Sequence, residues 1–393
     1  MSVDQAAGKG QRFFRSRWVD VPAGVEELDP AQLAPSFRAA GVACGLKASG
    51  GIDVGLLVCD AAEVSSALLL TRNAAAAAPI RVCRDECNGD QIRGVVVNSG
   101  NANAATGEQG YRDALALRAA AAQVLGVDAP SVAIAETGVI GVPLDVDVVL
   151  AGIPRAAAGL DERGATEFTR AIMTTDKGPK FCTVTAGGVT VSAQAKGAGM
   201  IEPGFATLLC FVQTDAVIAD PETELRKAAQ DSFERITVDG QMSTNDTVLL
   251  QATGASGRAM PAGLLDAVLL QLALEVVGDG EGASRVGRID VSEAASAVEA
   301  ERVARAIANS PLVKTALNGR DANWGRIAQA AGMALASEQI SGLSPNVIEA
   351  DGLGSADEEA EIAIRLGRGE DSAHVYFCDL THEYIRINAE YTT

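Results

Sequence analysis

Short aliphatic runs set the first limit on what this chain can fold into. Gly55-Leu-Leu-Val-Cys59, Gly94-Val-Val-Val-Asn98 and Ser131-Val-Ala-Ile-Ala135 are too short for ordinary helices and read as buried strands. Between and after them lie amphipathic stretches rich in Ala, Leu and charged residues. These predict helices over 111–125, 166–173, 222–235, 262–277 and 298–309. Residues 181–191 alternate with strand period around Gly187-Gly188, a hairpin signal. A strand is expected over 207–217. The last segments, 361–365, 374–377 and 383–391, also alternate as strands, and 341–357 reads as a loop. Strands with antiparallel candidates and interspersed helices give an α+β class, arranged as a layered sandwich. With 48% apolar but only 4% aromatic residues, the core of such layers has to be aliphatic and alanine-rich. At 393 residues the chain can bury a sizeable core, and no long linker divides it.

Charge and cysteine usage narrow the class. A net charge of −19 argues against nucleic acid and anionic membrane as partners. Residues 1–18 are polar and basic without an apolar core, so they read as a flexible tail and not a secretory signal. The longest apolar stretch, 267–277, is interrupted by Gln271 and Glu275, and nothing approaches the roughly 20 residues of a membrane span. The seven cysteines are scattered, without a Cys-x-x-Cys pair. Reduced, mostly buried thiols in a cytoplasmic protein are the expectation.

The two histidines, His374 and His382, both lie near the C-terminus and read as exposed strand residues. A histidine-rich metal site is thereby excluded, and an acyl-transfer site would need another base. Lys196-Gly-Ala-Gly-Met-Ile-Glu-Pro-Gly-Phe-Ala-Thr-Leu-Leu209 offers one. Thr207 is a poor nucleophile by itself. If the chain were cut after Ala206, the freed α-amine of Thr207 would serve as its base. Lys196, in a glycine-bracketed loop, suits an anion or carboxylate. The backbone N–H and hydroxyl at Thr137-Gly138 can face a developing oxyanion, although an ordinary turn accounts for them equally. Glu281, between Gly280 and Gly282, can present a carboxylate to an amine. Asn323-Trp-Gly-Arg326 reads as a packed loop with an anchored Trp. The glycines at 197 and 199 lack the third glycine of a dinucleotide fingerprint, and no P-loop occurs.

Several of these motifs, in this order, resemble the ornithine acetyltransferase family. They are Asn98-Ser-Gly-Asn-Ala-Asn103, Thr137-Gly-Val-Ile-Gly141, Ala171-Ile-Met-Thr-Thr-Asp176, Lys196-Gly-Ala-Gly-Met200 with Ala206-Thr207, and Asp279-Gly-Glu-Gly-Ala283. Asn309-Ser-Pro-Leu-Val-Lys-Thr315, Asn323-Trp-Gly-Arg326 and Ile387-Asn-Ala-Glu-Tyr-Thr-Thr393 complete the set. The resemblance implies a chain that cuts itself between Ala206 and Thr207, giving an α chain of 19–206 behind the 1–18 tail and a β chain of 207–393. It implies two copies of each in the assembly and an architecture like that of N-terminal-nucleophile hydrolases. The implied reaction moves acetyl from N2-acetyl-L-ornithine to L-glutamate in arginine biosynthesis, with acetyl-CoA a possible further donor and no cofactor or metal. By position, Thr207 is the nucleophile and Thr137 and Gly138 stabilise the oxyanion. Thr174, Lys196, Thr207, Glu281, Asn388 and Thr393 bind substrate. The rival is an N-terminal-nucleophile amidase or peptidase that passes the acyl group to water. Glu136 departs from the small hydroxyl residue usual before Thr137, and Phe205 from the residue usual before Ala206.

Overall fold

The computed structural model describes residues 12–202, 208–338 and 348–390. Three sheets make up its frame. The largest has six strands in the order Glu26–Glu27, Lys180–Ala186, Val189–Lys196, Leu209–Thr214, Thr247–Ala252 and Ser65–Leu70. A four-stranded sheet runs Phe37–Val42, Val54–Cys59, Gly94–Asn101, Val132–Val139. A five-stranded sheet runs Ile236–Thr237, Asp371–Cys378, Val286–Ala294, Glu359–Arg365, Ile348–Glu349. Mixed parallel and antiparallel pairing with helices on the sheet faces makes the class α+β.

The burial patterns explain the layering. Val54–Cys59, Leu209–Thr214 and Thr247–Ala252 are buried at every position, as strands covered on both faces must be. The helix Ala165–Ile172 fills the space between the four- and six-stranded sheets. Its Phe168 is fully buried and meets Phe211 edge to face, with ring centroids 5.3 Å apart. On the opposite face of the six-stranded sheet lie the helices Pro221–Gln230 and Leu264–Gly278. The latter is apolar nearly all round, because the five-stranded sheet also touches it through Tyr376 and Cys378. Val286–Ala294 instead alternates, with Ile289 and Val291 turned into a separate core under the helices Ala297–Ala308 and Trp324–Ala334.

Most expected elements form, with three exceptions. Within the expected loop 341–357, Ile348–Glu349 is a short strand and Asp351–Gly354 a helix. Residues 383–391 read as a strand, yet His382–Glu390 is a helix. It has no buried residue to give it a clear period, and Thr381 and Glu383 set its start: Thr381 Oγ1 accepts the Glu383 N–H at 3.2 Å. Asn323-Trp-Gly-Arg326 is the first turn of a helix and not a packed loop. Asn323 caps the Arg326 N–H, and Trp324 is half exposed. His382 is exposed on the C-terminal helix, whereas His374 is half-buried, and burial with Arg288 and Arg235 nearby lowers its pKa to about 4. Of the expected tail, residues 12–18 pack. Phe13 and Phe14 N–H groups donate to Glu27, and Trp18 lies against Tyr376 at 5.3 Å. All seven cysteines are free; Cys44 and Cys87 are half-buried and the rest buried. Among the described residues no helix is long and apolar enough to cross a membrane.

Phe168 joins two sheets through one ring. Phe168→Ala is therefore expected to lower stability by about 3–5 kcal/mol, read as a fall in the denaturant midpoint. A loss under about 1 kcal/mol would mean that the two sheets do not depend on this contact.

Candidate functional site

Strand ends from two sheets meet at one place. Val189–Lys196 and Leu209–Thr214 are antiparallel neighbours with Lys196 opposite Leu209, and Leu209 lies beside Thr247 in the next, parallel strand. Val132–Val139 of the four-stranded sheet ends against them, and Lys196 Nζ donates to Thr137 Oγ1 at 3.3 Å. Because an ammonium only donates, the Thr137 oxygen accepts here, and its own O–H is left free to point at a ligand. Asn245 ties the two sheets together, giving Nδ2 hydrogens to Ala102 O and Glu136 O at 2.6 and 2.9 Å.

Gly138 follows Thr137 at φ +134°, in a bulged register where Asn101 faces both Thr137 and Val139. A Cβ there would sit 2.4 Å from the carbonyl carbon of Gly100, so only glycine brings the two turns this close.

Lys196 is fully buried, and its charge needs counterparts. Asp176 is the main one. Its buried carboxylate accepts from Lys180 Nζ at 2.7 Å, the Gly197 N–H at 2.8 Å and the Thr174 N–H at 3.0 Å. Burial would raise the Asp176 pKa, but Lys180 and Lys196 outweigh it and hold the carboxyl well below the usual range. Lys180 is shared with Asp279 at 2.5 Å. Burial lowers Lys180, and the two carboxylates more than restore it. Lys196 is less fully compensated: burial pushes its pKa down against the pull of Asp176, Asp246 and Glu281.

The segment that leaves Lys196 is held residue by residue. Ala198 O accepts the Glu281 N–H at 2.8 Å. Met200 and Ile201 donate their N–H groups to Asp239 at 2.6 and 3.0 Å. Glu202 accepts from Asn309 Nδ2 at 3.1 Å. At Gly199 a Cβ would be 2.8 Å from the Glu281 carboxyl carbon, so the carboxylate lies directly on the backbone. Asn388 of the C-terminal helix donates to Glu281 Oε2 at 2.7 Å. Beyond the undescribed 203–207, the Leu208 N–H donates to Asp246 Oδ1 at 3.1 Å. Asp246 is fully buried and its pKa is raised by that burial.

Thus Thr137, Gly138, Thr174, Lys196, Glu281 and Asn388 come together around the two ends of this segment. Ala206, Thr207 and Thr393, with Phe205, lie outside the described residues. A cavity of about 470 Å³ is walled by Lys180 and Asp279 together with Arg15, Gln271, Glu275 and Arg285. Thr137, Lys196 and Glu281 do not line it, so it is separate from this cluster. No group of three or more His, Cys, Asp or Glu among the described residues is arranged to hold a metal ion.

Residues 38–393 match the ArgJ family. The chain belongs to that family. The "arginine biosynthesis bifunctional protein ArgJ" of Geobacter sulfurreducens is 41% identical over 390 residues, covering 91% of this chain and 99% of its own. The "glutamate N-acetyltransferase" of Methanopyrus kandleri is 40% identical over 374 residues, covering 87% and 96%. A crystal structure of ornithine acetyltransferase from Mycobacterium tuberculosis complexed with ornithine is 36% identical. It covers 47% of this chain and 100% of that one, with a TM-score of 0.43.

Within this ArgJ-family chain, sequence reasoning gave no role to Asp176, Lys180, Asp239, Asp246 and Asn309, although Asp176 and Asn309 close and open two of the motifs. The available signal was position: Lys180 heads an otherwise neutral strand, and Asp246 abuts the apolar run Thr247–Ala252.

Glu136 is buried with neither carboxylate oxygen well hydrogen-bonded. Burial raises its pKa to about 8, with Asn103 offsetting part of the rise. Folded protein therefore keeps this proton over a range where the unfolded carboxyl, at about 4.3, has lost it. Stability contributed by the neutral acid is full below about 4.3 and is lost as pH rises toward 8. Glu136→Gln, which cannot ionise, should show a melting-temperature advantage over wild type that grows between pH 5 and pH 8. An advantage equal at both pH values would mean that Glu136 is not held neutral.

Proposed function

We propose that this ArgJ-family enzyme cuts itself at Ala206/Thr207 and moves acetyl from N2-acetyl-L-ornithine to L-glutamate through an acetyl-threonine at Thr207. The coarser statement rests on family: the chain is an acyltransferase of arginine biosynthesis. The observation that carries the finer one is the gathering of an oxyanion turn, a buried ammonium and a backbone-seated carboxylate around the ends of residues 203–207.

Each group has a task that its surroundings suit. Thr207 Oγ attacks the acetamide carbonyl, and the freed α-amine, with an ordinary pKa of about 8, takes its proton. The free O–H of Thr137 and the backbone at Gly138 receive the oxyanion. Lys196 supplies positive charge for the α-carboxylate that donor and acceptor share. The Glu281 carboxylate, braced by Asn388, receives the side-chain ammonium of ornithine. Ornithine leaves, and the amine of glutamate attacks the acetyl-threonine. Thr174 and Thr393 complete the substrate contacts, and acetyl-CoA is an alternative donor. Pinning of 197–202 and of Leu208 supports the cleavage step, because a backbone held on both sides of a bond loses little freedom in reaching the bent geometry of attack. The assembly is two copies of each fragment, in the cytoplasm.

Intact mass of purified protein tests the reading. Wild type should give two fragments, the second beginning at Thr207, and Thr207→Ala should stay whole. Fragmentation of that variant at the same bond would sink the self-cleavage account. Initial rates with acetylornithine and glutamate should give parallel double-reciprocal lines; hydrolysis of acetylornithine that glutamate does not suppress would instead indicate the amidase.

Thr137→Val removes one donor to the oxyanion while keeping the shape. It should lower kcat by roughly 10²–10³ with little change in KM. An unchanged kcat would remove Thr137 from the reaction.

A further inference from the structure

Val132–Val139, the strand that ends in Thr137 and Gly138, is the outer strand of its sheet and pairs on one side only. Backbone groups of alternate residues along the other edge need partners. Glu136 O has the Asn245 amide. The other two positions are served by sulfur. Cys87 Sγ donates to Val132 O at 3.1 Å, and Cys83 Sγ donates to Ile134 O at 3.2 Å while accepting the Ile134 N–H at 3.3 Å.

The two thiols sit at the end of the helix Ala78–Glu86, Cys87 being its C-cap. One helical turn separates their Cα atoms by about 6 Å, inside the roughly 4.4–6.8 Å of a disulfide, but Cβ atoms at this spacing lie about 5–6 Å apart, so closing the link draws the last helical turn in by about 1–2 Å. Cys83 is buried, whereas Cys87 is half-buried and can be reached from solvent. Arg118, itself 6% exposed, donates Nη1 to Glu86 O at 2.7 Å and to Cys87 Sγ at 3.5 Å. When Cys87 ionises, the Cys83 S–H turns from Ile134 O to the thiolate, and this bond brings Cys87 down to about 7, with Arg118 adding to it against burial and Glu86. Cys44, the other half-buried thiol, is pushed the opposite way by burial and Asp53.

We propose that Cys83 and Cys87 form a peroxide-reactive dithiol whose oxidation strips the hydrogen-bond donors from the edge of the strand carrying Thr137 and Gly138. The Cys87 thiolate attacks one oxygen of hydrogen peroxide. The O–O bond breaks, hydroxide leaves and is protonated to water, and Cys87 becomes a sulfenic acid. The Cys83 sulfur then attacks the Cys87 sulfur, and its proton leaves with the displaced hydroxyl as a second water. The protein loses two protons and two electrons; the peroxide gains them. Both S–H donors are consumed, so Val132 O and Ile134 O are left without partners beside the site.

Exposure of the full-length protein to hydrogen peroxide, followed by peptide mapping and amide hydrogen exchange, tests this without reference to activity. The expected product is a Cys83–Cys87 link with Cys44 still free. Exchange over residues 132–137 should quicken about tenfold and return to its starting value with dithiothreitol. Cys83→Ser keeps a hydroxyl donor for Ile134 O, and should stop at a Cys87 sulfenic acid that dimedone traps. Arg118→Gln should slow the first step. Oxidation spread evenly over Cys44 and Cys87, or a link that leaves exchange over 132–137 unchanged, would overturn the proposal.

Discussion

Two lysine ammonium groups are buried at one end of the six-stranded sheet, and much of the molecule is arranged to keep them there. An isolated buried ammonium would lose its proton or refuse burial. Asp176 and Asp279 hold Lys180, and Asp176 shares its field with Lys196. The same Asp176 carboxylate fixes the backbone at Thr174 and at Gly197. One buried anion thus sets the place of two motif segments that are distant in sequence. Asp279 extends the arrangement: its loop continues into Glu281, which lies on Gly199 and is braced by the C-terminal helix. Removing one charge would leave another unpaired, so the group stands or falls as a unit.

This explains why the site is spread over so much of the chain. Strand ends are precise positions, because a ladder of backbone hydrogen bonds fixes each one, while loops between them wander. Thr137, Lys196, Leu208 and Asp246 all sit at strand ends that meet. The loop segments beside them, 197–202 and 279–282, are tied to each other through Ala198 O and the Glu281 N–H, and the first also to Asp176 and Asp239. Asn309, far along the chain, belongs to this scheme: its side chain accepts from Thr237 Oγ1 and donates to Glu202, joining the third sheet to the segment before residue 203.

The layered fold was legible because its strands are either uniformly aliphatic or alternate, patterns that sequence displays directly. The C-terminal helix was not. Glu383 to Glu390 alternates polar and apolar residues closely enough to resemble a strand, and no residue of it is buried to break the tie. Its position is set by contacts at the Gly282 turn, where Thr381 Oγ1 donates to Gly282 O. Trp324 was misread for a related reason: a large apolar residue suggests an anchor, but Asn323 capping decides the local structure and leaves the ring half in solvent. Thr137, Lys196 and Glu281 were legible in the sequence because each stands beside glycine in a motif whose order resembles the family. The acids that place them were not, because a buried Asp and a surface Asp look alike until the fold brings a lysine to one of them.

Glu136 shows how the two levels meet. In sequence it is an acid one position before Thr137 and the Gly138 bulge. Strand alternation turns its side chain away from Lys196, which faces Thr137. It is met instead by Asn103 and the field of Asp113. Had it pointed the other way, it would have added a further buried carboxylate beside Lys196, next to Asp176. Buried on the far side of the strand from Lys196, it meets the cluster only through its backbone, whose carbonyl Asn245 holds. The cost of an ionisable side chain at this position therefore falls on stability, through the burial that keeps it protonated.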